Sequence, residues 1–156
     1  MANSDPTKPA GTRRKARRAA LDLLYEAHMR EVPAQHILAQ RQQEIEVAAA
    51  RNSAEQPKAI RPYTADLVTG VVENQERIDE LLSTYSTNWP LDRMPNIDRE
   101  LLRIGVWELL FNGDVPDSVA IAEAVALAAE LSTDDSPGFI NALLDRIAKL
   151  KPMLAT

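Results

Sequence analysis

From Ile97 to Phe111 the chain reads Ile-Asp-Arg-Glu-Leu-Leu-Arg-Ile-Gly-Val-Trp-Glu-Leu-Leu-Phe. Wound as a helix, its large apolar side chains cover most of the circumference, whereas a surface helix buries a single stripe. Such a segment has to be surrounded, so it predicts a central helix with others packed around it. It opens at Asn96 as a cap and stops at Asn112-Gly113-Asp114.

The flanking sequence supplies those neighbours. Ala16, Ala20, Leu23, Leu24 and Ala27 fall at helical spacing in a first helix from Thr12 or Arg13 to Arg30. A second helix runs from Pro33 to Arg51 with a thin stripe of Ile37, Leu38, Ile45 and Ala48, and a loop follows over 52–61. Pro62 opens a long helix to Ser86 in which Gly70 is a tolerated weak point. Pro90 and Pro95 leave room for one short turn over 91–94. An alanine-rich helix spans 116–131, packed through Ile121, Val125 and Ala128, and a last helix carries Ile140, Leu143, Leu144 and Ile147 before Pro152. No segment alternates with period two. The class is all-α: one compact domain over 13–151, of about seven helices in two small subbundles around the central one. Residues 1–12 are expected to be a disordered leader and 152–156 a tail.

Charge is distributed unevenly. The formal net charge is −5, yet residues 1–18 hold six cations against one acid, +5, which leaves −10 on the rest. Five of the six positions from Arg13 to Arg18 are basic, at a helix start where the dipole favours acids. On a helical projection Arg14 and Arg18 lie on a line that continues through Leu21 to Tyr25. Guanidiniums and an aromatic ring on one face suit single-stranded nucleic acid, with phosphates paired and bases stacked. The alternative is a solvated helix start with no ligand, and both stay open. Apolar runs are too short and too often interrupted by charge to span a bilayer, and the basic start lacks the apolar core of a secretion signal. The expectation is a soluble, cytoplasmic protein.

Other chemistries are poorly served. The chain has no cysteine, which excludes disulfide scaffolds, zinc knuckles and thiol catalysis. It lacks a glycine-rich phosphate loop, and His28 and His36 stand eight apart without acids at ligand spacing. Asp134-Asp135 and Asp79-Glu80 read as caps and solvated faces, and no helix carries the basic and amide cluster of a helix-turn-helix reader. No catalytic residue, metal ligand or cofactor is predicted. In Ser132-Thr133-Asp134-Asp135-Ser136-Pro137-Gly138-Phe139 the side-chain oxygens can cap the last helix, while Phe139 is either an edge-of-core aromatic or a stacking surface. Trp89, Asp92, Asp98, Arg99, Arg103 and Trp107 are candidate positions on or just before the outer face of the central helix.

Taken in order, the basic run flowing into Ala-Leu-Asp-Leu-Leu-Tyr (20–25), the block Ile97–Leu109, Asp114-Val-Pro, Ala122-Glu-Ala-Val and Asp135-Ser-Pro-Gly-Phe-Ile-Asn (135–141) resemble the bacterial transcription antitermination factor NusB family. The resemblance covers about Arg13 to Lys149. It implies a non-catalytic helical protein that binds the boxA element of ribosomal RNA leader transcripts together with NusE, a ribosomal protein, and helps RNA polymerase read through terminators. It further implies RNA contacts at Arg13, Arg14, Lys15, Arg17, Arg18, Asp135 and Phe139, with Asp92 mapped by an acid before the central helix. NusE contacts fall near Tyr25 and Asp98. Gly138 stands where relatives often carry a basic residue, which implies a weaker RNA footprint there. Some members self-associate through the basic face, so a homodimer stays open. Two alternatives remain: the RNA-binding module of a ribosomal RNA cytosine methyltransferase, whose catalytic part would have to follow Thr156, and a protein-interaction scaffold with a nonspecific basic tail.

Overall fold

The computed structural model describes residues 10–52, 54–87 and 89–154, with side chains from Arg13 onward. Every regular element among them is helical: α1 (Ala10–Arg30), α2 (Ala34–Arg51), α3 (Pro62–Glu73), α4 (Gln75–Tyr85), a short 3-10 turn (Leu91–Arg93), α5 (Asn96–Phe111), α6 (Asp117–Leu131), α7 (Ser136–Lys149) and α8 (Lys151–Leu154). None is long and apolar enough to cross a membrane. Part of the expected leader, from Ala10, is the start of α1, and residues 1–9 lie outside the described residues. Within the expected tail Leu154 packs against the core, and just before it Lys151 donates to Asp117 at 2.9 Å.

The central helix is α5, which contacts α1, α3, α4, α6 and α7. One group of helices, α1 to α3, packs on one side and α4, α6 and α7 on the other, so α5 belongs to both. Leu101, Leu102, Ile104, Val106 and Leu109 of α5 are buried, as its sequence requires. The predicted stripe of α1 is buried too, from Ala16 to Ala27.

Three expectations change. The long helix over 62–86 is two helices. Asn74 leaves helical geometry at φ −114°, and its side-chain amide joins its own backbone N–H on the Gly70 carbonyl, at 2.8 and 3.2 Å, capping α3 there. The α6 core face consists of Ala120, Ala124, Leu127 and Ala128, with Ile121 and Val125 only partly buried. Small residues there let α6 sit close between α5 and α7, and the branched side chains take the margins. Finally, Asn96 is the first residue of α5 rather than its cap; Pro95 precedes it, and the Asn96 Oδ1 accepts from Arg99 at 2.8 Å.

Gly70 is placed by packing. A Cβ built there would stand 2.1 Å from the Trp107 indole nitrogen, so the ring of α5 rests on the bare backbone of α3. Trp107, a candidate outer-face residue, is therefore part of the helix–helix contact. Gly70→Ala is expected to lower unfolding stability by about 1–3 kcal/mol through overpacking, despite the higher helix propensity of alanine. Gly138→Ala, with open space around it, is the control and should be neutral or stabilising in the same urea titration.

Candidate nucleic-acid interface

The basic run lies along the first turns of α1, and the structure sorts its cations by burial. Arg13 places its guanidinium over the Tyr63 ring, 4.2 Å from the centroid. Arg14 is half exposed and bridges to Glu123 of α6 at 2.6 Å. Lys15 is exposed. Arg18 is partly exposed and pairs with Glu130, in the last turn of α6.

Arg17 differs from the others. Expected on the RNA face, it is instead 3% exposed and points into the helix bundle. Its Nε donates to both oxygens of Glu108 at 2.9 and 3.0 Å, its Nη2 donates to Glu108 at 2.9 Å, and its Nη1 to Glu123 at 3.2 Å. Glu108 is fully buried and also accepts from the Tyr63 hydroxyl, which in turn accepts from the Asn112 amide at 3.1 Å. Burial alone would lower the guanidinium pKa of Arg17; the hydrogen bonds and charge of Glu108 reverse that, and it stands above its ordinary value. Burial, followed by the charge and hydrogen bond of Glu108, pushes the Tyr63 phenol well up, so it stays a donor. Neither Tyr63 nor Glu108 figured in the sequence expectation. The signal was an acid inside a helix apolar nearly all round, because a buried carboxylate requires a cation.

A second cluster lies between the end of α4, the segment before the 3-10 turn, and α7. Tyr85, Trp89, Asp135, Phe139 and Arg146 line an open cavity of about 410 Å³. Trp89 and Phe139 meet edge to face with centroids 5.2 Å apart. Arg146 donates to the Tyr85 carbonyl at 2.7 Å, which ties the two walls together. Phe139 is partly buried: it packs against the core, and it also lines the cavity. Asp135 is exposed at the start of α7 and makes no side-chain capping bond. Asp92 is exposed on the 3-10 turn, beside a hollow that also touches His28, Arg99 and Arg103.

Asp98, expected at the partner face, is instead completely buried. It accepts from the Ser132 hydroxyl at 2.6 Å and from the Ser136 hydroxyl at 2.8 Å, fastening the start of α5 to the loop between α6 and α7. That loop carries Asp135 to the rim of the aromatic cavity. Tyr25 is half-buried on α1, and near the end of the same helix Met29 is 55% exposed and accepts from the Asn96 amide through its sulfur at 3.5 Å.

Comparison with known proteins gives a consistent result. The sequence model described as the NusB family matches residues 14–149. The chain is 55% identical over 150 residues to the transcription antitermination protein NusB of Beutenbergia cavernae, covering 91% of this chain and 92% of that one. Among solved structures it is similar to NusB of T. maritima, with a TM-score of 0.72 at 32% identity over 91% of this chain and 92% of that one. It is also similar to a crystal structure of the antitermination factors NusB and NusE in complex with dsRNA. There the TM-score is 0.71 at 25% identity, covering 90% of this chain and 98% of that one.

The geometry separates structural from exposed cations by a stability measurement. Arg17→Ala leaves Glu108 buried and unpaired and should cost about 3–5 kcal/mol of unfolding free energy. Arg18→Ala, at an exposed pair, should leave the urea midpoint nearly unchanged. Comparable losses in the two variants would contradict the division.

Proposed function

Because the chain belongs to the NusB family, we propose that it is a non-catalytic, cytoplasmic antitermination factor that binds boxA RNA of ribosomal RNA transcripts together with a NusE-type ribosomal protein. In that role it supports processive transcription by RNA polymerase. The observation that carries the RNA half is the pairing of an exposed basic helix start with an aromatic cavity joined to it through the end of α6. Arg14, Lys15 and Arg18 supply phosphate contacts with Arg13 beside them, and Trp89 and Phe139 supply ring surfaces on which unpaired bases stack. Asp135 at the rim of the cavity, and Asp92 on the 3-10 turn three residues after Trp89, act as hydrogen-bond acceptors for base or sugar groups. Arg17 is a positioning residue that sets α1 against α5 and α6.

The partner half rests on Tyr25, with Met29 further along the same helix, while Asp98 is a buried positioning residue that holds the loop between α6 and α7. The acidic body, −10 beyond residue 18, is complementary to a basic ribosomal protein. A scaffold without an RNA ligand has one observation in its favour, since Arg14 and Arg18 are already paired with α6 acids. A titration separates the two.

Fluorescence anisotropy with labelled single-stranded boxA RNA should show salt-sensitive binding, tightened by added NusE. A duplex of the same sequence should bind more weakly, because its bases are unavailable for stacking. Trp89→Ala and Phe139→Ala should each weaken binding between about fivefold and about a hundredfold, the range of one lost base stack. Lys15→Ala should reduce the log–log salt slope by about 0.7. Wild-type affinity in all three variants would overturn this interface.

A further inference from the structure

We infer that Glu130 is a built-in competitor for RNA phosphate: it occupies Arg18 in the free protein and sets how tightly the basic face of α1 binds. The inference rests on the RNA-binding reading above and deepens it by naming a residue, outside the expected contacts, that tunes affinity at the same site.

The acids of α6 treat the basic run in two distinct ways. Glu123 is 8% exposed and is shared between Arg14 and the buried Arg17, so its carboxylate is part of the folded framework. Glu130 makes its direct ion pair with Arg18, its charge reaching Arg14 only as a minor influence, and both side chains are substantially open to water, 53% and 39% exposed. A pair of that kind contributes little to folding, because water and salt screen it and two long side chains lose freedom to form it. An arriving phosphate can therefore exchange with the carboxylate at small cost to the fold.

The position of Glu130 also argues for a purpose other than stability. It lies in the last turn of α6, where the helix dipole is negative and a cation would be favourable, and that turn has no basic residue. The acid is thus misplaced for its own helix. On α1, Arg18 meets its counter-ion at a carboxylate half open to solvent, whereas Arg14 and Arg17 meet theirs at Glu123, which is nearly buried. Together these features describe a cation kept neutralised until a stronger anion arrives. A polyanion that offers a well-placed phosphate gains Arg18; a loosely held one has to compete with a carboxylate already at contact distance.

The test is a double-substitution cycle read by anisotropy with labelled single-stranded boxA RNA, using the full chain. Glu130→Gln keeps the side-chain shape and removes the charge, and should tighten RNA binding by about two- to fivefold, the equivalent of a typical exposed ion pair. Arg18→Gln should weaken binding. In the Arg18→Gln background, Glu130→Gln should lose most of that gain, because the competition acts chiefly through the Arg18 guanidinium and only weakly through Arg14. Circular dichroism on heating should give the same midpoint for Glu130→Gln as for the parent, since the pair is exposed. If the parent binds RNA and Glu130→Gln binds no more tightly, the competitor role is overturned while the RNA-binding reading stands. If the gain persists undiminished without Arg18, removal of a repulsive charge explains it and the competitor role is again overturned. A parent chain that binds no RNA overturns both.

Discussion

Arg17 and Glu108 hold the molecule to a single arrangement. Taking both charges out of water costs several kcal/mol, and their attraction recovers it only when every donor and acceptor is met. Here they are: the guanidinium donates to two carboxylates and Glu108 also receives the Tyr63 hydroxyl. No buried side-chain nitrogen or oxygen among the described residues lacks a partner. A well-packed apolar pair would give as much stability with less precision. What the ion pair adds is a fixed rotation and register of α1 against α5 and α6, because sliding α1 by one residue would leave two buried charges unpaired. The register then decides which of the remaining cations face outward.

The consequence is a division of labour within six residues. Arg17 faces in, Arg13 covers the Tyr63 ring, Arg14 shares Glu123, and Lys15 and Arg18 are left at the surface. Across the end of α6, Asp98 performs the corresponding service for the other half of the site. By holding Ser132 and Ser136 it fixes the loop that presents Asp135 and places Phe139 against Trp89. Two buried polar anchors thus position the otherwise open surface proposed above to receive an extended RNA strand.

Much of the fold was legible because its signals are local and periodic. The all-round apolar block at 97–111 marked the central helix, and the alanine and leucine stripe of α1 was buried as spaced. The division at Asn74 was not legible, since it depends on one amide bonding a carbonyl four residues back. Nor was the α6 core face, where alanines displaced Ile121 and Val125 because a close neighbour left no room for branched side chains. In the candidate site, periodicity put Arg14 and Arg18 on one line with Tyr25. It treated Arg17 as one of a set, because its partners lie 91 and 106 residues away. The same reason hid Asp98: its spacing marks a helix start, while its burial is decided by two serines on another segment. Trp89 stood in view as a candidate, but only the fold brings it against Phe139.

The central claim is that one continuous track, from the basic start of α1 to the aromatic cavity beside α7, receives RNA. Hydrogen–deuterium exchange of the full chain, with and without saturating single-stranded boxA RNA, tests it most directly. Slowed exchange is predicted in the peptides spanning Arg13–Arg18, Tyr85–Trp89 and Ser132–Phe139, with α2 unchanged. Protection concentrated on α2, or absent from either end of the track, would contradict the account.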